Sequence, residues 1–317
     1  MNSSLRRWTD LLRCPACRSA LVTVPAAWPA PQGSMSLKCQ GCSATFPVVG
    51  RIPFLLPTWA VGWLPPRAAA AIWKTTKPAL DLPSFIRLVD RVSSPALDEQ
   101  GLWERAVAFV SCRSAAHDRW IRSEPSIVQW NERAKLIDSY VIDRVPGLVR
   151  QDDLVLDICS GEAQTISHIA LKAPRCTFLC VDKQVSFLEA KQHKWNQRGR
   201  PMMVCADVRS LPLPDACAEV VVDNNGLFHV VDAATAVREV ARVTKPKAHV
   251  VMSALSTSLD GEDARLRELT GGSLGFGWLI DRYGEAGFEA VEKVRICGKE
   301  HNLPETEGAI LRRAIHR

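Results

Sequence analysis

From residue 153 to residue 253 the chain repeats short apolar runs: LVLDI, TFLCV, MMVCA, EVVVD and HVVMS. Runs of five residues that are apolar on both faces predict strands of a sheet covered on both sides. Between them SHIALK, SFLEAKQHKWNQ and TAVREVARVT place apolar residues at helical spacing. Such alternation predicts an α/β fold with a doubly wound, mostly parallel sheet. Upstream, Ile127, Trp130, Ala134, Ile137, Val141 and Val145 mark one face of a helix that starts near Glu124 and is ended by Pro146 and Gly147.

The first 122 residues have a different texture. In ATFPVVGRIPFLLP the pattern predicts a short strand, a turn at Gly50, and an apolar tail of Ile52, Phe54, Leu55 and Leu56 lying across the N-terminal module. Helical spacing returns in SFIRLVDRV and LWERAVAFV, within a stretch that carries Trp59, Trp63, Trp73, Trp103 and Trp120. Three parts are therefore expected: a small module over 1–57, a helical connecting or cap region over 58–122, and a larger α/β domain over 123–317.

Composition narrows the function classes. The chain has 317 residues, 47% of them hydrophobic and 23% charged, so collagen-like and disordered classes are excluded. The net charge of +6 is unevenly spread: residues 1–150 hold 19 basic and 11 acidic side chains, and residues 151–317 hold 21 and 23. The basic excess belongs to the N-terminal half. The 11 cysteines are an odd number, and several sit inside apolar runs, which argues against a disulfide framework. Nothing approaches a secretory signal or a membrane-spanning run. A reducing, cytoplasmic setting is the expectation.

Cys14 and Cys17 form CPAC, and Cys39 and Cys42 form CQGC. Each pair can turn one knuckle toward a single ion, and together they complete the tetrahedral thiolate shell that Zn2+ prefers. Four thiolates leave no position for water, so the zinc is expected to be structural. The block LLRCPACRSALV to LKCQGCSATFPVVGRIPFLLP resembles the zinc-ribbon activator that partners methyltransferases of transfer RNA and translation factors. It is also similar to the zinc finger of ribosomal RNA guanine-N1 methyltransferases, which characteristically place a histidine where this chain has Cys42.

In a parallel sheet ligands bind beyond the carboxyl ends of the strands. After the first α/β strand comes DICSGEA, where Gly161 permits a tight turn whose backbone N–H groups approach a ligand. The stretch lacks the G-x-G-x-x-G spacing that would favour phosphate. Asp182, after the second strand, can accept both ribose hydroxyls, and Asp207, after the third, can accept from an adenine amino group. Asp223, Asn224, Asn225 and His229 follow the fourth.

Residues 125–317 resemble class I S-adenosylmethionine-dependent methyltransferases. VLDICSGEA stands at that family's glycine loop, CVDKQVSFLEAK at its acidic loop and ADVRSLPLPDACAEVVV at its adenine side. REVARVTKPKAHVVMS, YGEAGFEAVEKVRI and EGAILRRAIHR are similar to the approaches to its last strands. Cys159 and Ala163 replace two loop glycines, and Lys247 and Ala248 replace a later glycine pair. The resemblance implies a seven-stranded sheet and a site for S-adenosyl-L-methionine lined by Asp157, Cys159, Gly161, Asp182, Lys183, Asp207, Val208 and Asn224. His229 is the candidate general base, with an unperturbed pKa near 6.5.

Two acceptor classes and one non-enzyme reading remain, of which methyl transfer to a small-molecule acceptor is the expectation. A small-molecule acceptor is favoured by FHVV, which resembles the quinone-biosynthesis branch, and by the aromatic cap region. Ribosomal or transfer RNA is favoured by the ribbon and the basic N-terminal half. A third reading makes the chain an interaction protein that activates a separate methyltransferase. No Asn/Asp-Pro-Pro-aromatic tetrapeptide follows the fourth strand, which argues against methylation of the adenine amino group. Gly271, Gly272, Gly275 and Gly277 suit either a mobile lid over the acceptor or a plain flexible connection.

Overall fold

A computed structural model describes residues 9–25, 35–49, 52–56, 124–161, 163–182, 201–227, 230, 232–256, 275–298, 301, 303 and 305–315. The expected cap region over 58–122, the helix in SFLEAKQHKWNQ, Lys183, His229, Gly271 and Gly272 lie outside the described residues.

The N-terminal strands are β1 (Leu21–Pro25), β2 (Met35–Cys39), β3 (Thr45–Val49) and β4 (Ile52–Leu55). Helix α1 (Glu124–Arg144) then leads into β5 (Leu154–Ile158), α2 (Gln164–Lys172), β6 (Thr177–Asp182), β7 (Met202–Ala206) and β8 (Ala218–Asn224). The chain continues through α3 (Ala233–Val243), β9 (Thr244–Leu255), α4 (Phe276–Glu285), β10 (Phe288–Cys297) and β11 (Thr306–Arg313). The helix expected to end at Pro146 does so: α1 stops at Arg144, and a 3-10 turn over Val145–Gly147 carries the proline in its first turn, where its missing N–H costs nothing.

Seven strands in the order β7-β6-β5-β8-β9-β11-β10 form the α/β sheet, parallel from β7 to β9 and closed by the antiparallel β11 and β10. This is the mostly parallel architecture of the class I methyltransferase fold. Side chains alternate between its two faces with a period of two. Val155, Phe178, Cys180 and Val222 meet Val141 of α1 and Ile166 and Ile169 of α2. On the other face Leu156, Leu179, Val204 and Val221 share a core with Val237 and Val240 of α3 and Leu279 of α4. Gly275 and Gly277, read as lid glycines, are the N-cap residue and an early residue of α4.

The sheet does not stop at β7. The apolar tail expected to lie across the N-terminal module is instead strand β4, antiparallel to β3 and parallel to β7, with Phe54 opposite Cys205 and Leu55 opposite Ala206. An unpaired outer edge on β7 would leave buried N–H and C=O groups unsatisfied, and β4 supplies their partners. The small module and the α/β domain thus form one 11-stranded sheet. Their cores merge too, since Leu12, Leu37, Phe46 and Leu55 belong to the same cluster as Leu156 and Val204.

Leu55 is wholly buried at this junction. Leu55→Ala is expected to destabilise the protein by about 2–5 kcal/mol, read as a lower denaturant midpoint. A loss under about 0.5 kcal/mol, the scale of a surface substitution, would mean that the junction is not a packed core.

Candidate functional site

The register of the parallel strands sets four carboxylates along one edge. Asp157 lies opposite Cys180 on β6 and Val222 on β8, so Asp182 and Asp223 follow two residues and one residue further toward the same edge. Asp182 is opposite Cys205, and Asp207 follows two residues beyond. Between them runs the loop from Cys159 to Ala163. Cys159, Gly161 and Ala163 all have positive φ, at 50°, 52° and 54°, so two of the three left-handed positions bear a side chain. Bonds hold this strained backbone closed: Ser160 N–H donates to the Val181 carbonyl (3.1 Å), Ala163 N–H to the Ser160 carbonyl (2.8 Å), and Gly161 N–H to Asp182 Oδ2 (2.8 Å).

The charges converge on the loop. Burial, and then the carboxylates of Asp182, Asp223, Asp207 and Asp157, push the Cys159 thiol well above its ordinary value. Burial, and then Asp182, Asp138 and Asp223, likewise raise Asp157. The edge around Cys159 is thus acid-lined and poorly solvated.

Each acid also has a local task. Asp207 caps the 3-10 turn Val208–Ser210 through Arg209 N–H (2.9 Å), and its carboxylate is held by the Arg209 guanidinium at 2.8–2.9 Å. Val208 is buried at the start of that turn. Asp223 accepts from Gly226 N–H (3.1 Å) and Leu227 N–H (2.9 Å) and faces the Tyr283 hydroxyl at 3.4 Å. Burial raises Asp223 to about 6.

Asn224 is tied on both ends of its amide. Its Nδ2 donates to Asp138 Oδ1 (2.7 Å) and Thr165 Oγ1 (3.0 Å), and its Oδ1 accepts from Ser253 Oγ (2.9 Å). Its neighbour Asn225, at φ 58°, accepts from Arg133 Nη2 (3.2 Å), while Arg133 Nε donates to Thr306 Oγ1 (2.9 Å). Gly226 closes the far side, where a Cβ would come within 2.7 Å of Cys159 Cβ and 3.1 Å of the Ile158 carbonyl. The structure thus gathers Asp157, Cys159, Gly161, Asp182, Asp207, Val208 and Asn224 at one edge. It adds Arg133, Asp138, Thr165, Gly226 and Tyr283, which sequence reasoning missed. Arg133 and Asp138 carry no distinguishing signal on a helix that also bears Glu132, Lys135, Asp143 and Arg144.

Residues 156–252 match the protein family described as Methyltransferase domain. This segment is similar to that family. Over 116 residues the chain is 33% identical to a demethylmenaquinone methyltransferase of Corynebacterium urealyticum, covering 37% of this chain and 45% of that protein. Over 151 residues it is 24% identical to a malonyl-[acyl-carrier protein] O-methyltransferase of a Marinomonas species, covering 47% and 55%. The chain therefore spans about half the length of the curated relatives it matches. Among solved structures, the Burkholderia thailandensis 1,6-didemethyltoxoflavin-N1-methyltransferase with bound S-adenosylhomocysteine aligns at a TM-score of 0.46 and 15% identity, over 70% of this chain and 93% of that one.

Outside the matched segment, the Sγ atoms of Cys14, Cys17, Cys39 and Cys42 lie within 4.8 Å of one another. Cys17 and Cys39 are 3.3 Å apart, and Cys14 and Cys42 are 3.7 Å apart. Four sulfurs at about 2.3 Å from one tetrahedral ion stand about 3.8 Å apart, so the cluster fits Zn2+ in size and chemistry. The two knuckles match: Cys14 N–H bonds the Ser19 carbonyl, Cys39 N–H bonds the Ala44 carbonyl, and Arg18 and Ser43 both have φ 61°. Gly41 and Cys42 N–H groups point at Cys39 Sγ (3.3 and 3.4 Å), as suits a thiolate. Hydrogen bonds from Ser19 draw the Cys17 thiol down to about 6.

Because Asp223 is raised from 3.8 to about 6, its contribution to stability is full below about pH 4 and is lost as pH rises through about 6. Asn at this position keeps the acceptor for Gly226 and Leu227 without the charge. Asp223→Asn is expected to gain on the wild type by up to about 3 kcal/mol between pH 4 and pH 8, measured as the difference in melting curves. A constant difference across that range would contradict the assignment.

Proposed function

We propose that the protein is an S-adenosylmethionine-dependent methyltransferase acting on a small-molecule acceptor. The observation that carries this reading is the row of Asp157, Asp182, Asp207 and Asp223 around the left-handed loop Cys159–Ala163. S-Adenosylmethionine is a sulfonium cation, and its bound form supplies an electrophilic methyl group. The carboxylate row offers the field that such a cation needs. Asp182 holds the loop and faces the ribose, and the segment after Asp207, opening on buried Val208, forms the adenine side.

Beyond the donor, Asn224 and Asn225 at the end of β8 line the approach of the acceptor, where Arg133 and Asp138 fix their orientation. Their task is to fix the strand end against which the acceptor atom is held in line with the methyl group. His229 is the residue we assign to accept a proton where one must leave. The small-molecule reading is supported by relatives named for demethylmenaquinone and malonyl-[acyl-carrier protein]. RNA is the second reading, favoured by the 19 basic against 11 acidic residues of the first 150. The four-cysteine cluster is assigned structural Zn2+.

Calorimetry is expected to show one S-adenosylhomocysteine bound per chain. Asp182→Ala should weaken it about ten- to hundredfold, the scale of a lost hydrogen bond to a charged group. Absence of binding by the wild type would favour the non-catalytic, activating role. Methyl transfer from labelled donor to quinols and carboxylic acids, run beside total RNA across a salt series, separates the acceptors. Tight RNA binding that collapses steeply with salt would sink the small-molecule assignment.

A further inference from the structure

The zinc knuckle and the adenine-side segment are in direct contact. Ser210 Oγ, in the turn capped by Asp207, donates to the Pro15 carbonyl at 2.8 Å. Pro15 is buried between the ligands Cys14 and Cys17. One residue before the knuckle, Arg13 N–H donates to the Pro212 carbonyl at 2.9 Å. One residue after it, the Arg18 guanidinium reaches Glu239 Oε1 at 3.2 Å, and Glu239 Oε2 accepts from Leu211 N–H at 3.0 Å. Strand β4 pairs with Cys205 and Ala206, just ahead of Asp207. Residues 205–212 are therefore gripped from the ribbon at both ends and in the middle.

The position of the Pro15 carbonyl depends on how its flanking cysteines are tethered. With both thiolates drawn to one ion, the CPAC backbone has a single arrangement. Without that tether, Cys17, which is exposed, loses the constraint that fixes its half of the knuckle, because so small a thiolate module relies on its metal for order. The acceptor that Ser210 uses then loses its place, and the turn beginning at Asp207 loses support at its centre.

We infer that the four-cysteine site, through Pro15 and Ser210, positions the adenine-side turn Asp207–Pro212, so that occupancy of the metal site and affinity for the adenosyl ligand are thermodynamically coupled. This rests on the proposed methyl-donor site. Ser210 is a positioning residue, acting through the turn and touching no reacting atom. Coupling of this kind is reciprocal: whatever factor the metal gives to ligand affinity, the ligand returns to metal affinity.

The test uses the full chain. Zinc affinity is measured by competition with a chelator of known strength, with and without saturating S-adenosylhomocysteine. Zinc is expected to be held about tenfold more tightly in the presence of the ligand, within the range of ordinary coupling. Separately, Ser210→Ala with full zinc content and an unchanged melting curve is expected to bind S-adenosylhomocysteine about three- to tenfold more weakly, the scale of one hydrogen bond. Ser210→Thr, which keeps the hydroxyl, is expected to restore it. Equal zinc affinity with and without the ligand overturns the coupling, whatever the variants do. A zinc-loaded wild type that binds no S-adenosylhomocysteine at all overturns the methyl-donor site itself, a result distinguishable from loss of coupling.

Discussion

Strands β4, β7, β6, β5, β8 and β9 run parallel side by side, and a parallel ladder sends every carboxyl end to the same edge. Residues that follow different strands, far apart in sequence, are thereby delivered to one line. Four of those strand ends bear aspartates. Desolvation raises Asp157, Asp223 and the thiol among them, and repulsion from neighbouring carboxylates adds to it at Asp157 and Cys159, a kind of perturbation that clusters at functional sites.

Around that line stands a second ring whose members act on the first. Asp138 and Arg133, five residues apart on α1, each reach one of the adjacent asparagines that end β8. Thr165 on α2, Ser253 on β9 and Thr306 on β11 complete the ring. Helix, sheet and the antiparallel return strand thus meet in a single hydrogen-bonded patch. Asn224 spends its amide on these neighbours, which fixes the shape of the strand end.

Much of this could be read in the sequence, because parallel strands are short, apolar and punctuated by acids. The runs 154–158 and 202–206 match β5 and β7 residue for residue, and the paired CxxC knuckles converge as their spacing required. What escaped was non-local. The run Ile52–Leu55 has no period that tells which edge it will join, so its docking on β7 was read as a local fold-back. Arg133 and Asp138 look like solvated helix charges until the helix is laid across the strand ends. Gly226 carries no sign in DNNG that its missing side chain makes room for Cys159.

The pairing of β4 with β7 also orders events in time. The four cysteines and strands β1 to β3 lie within the first fifty residues, so their contacts with one another are local in sequence. Strand β4 emerges with them, yet its outer partner begins only at Met202. Until then a strand edge bearing Ile52 and Leu55, both wholly buried in the finished protein, is open to any other chain. Closure of the sheet through β7 is what covers that apolar edge.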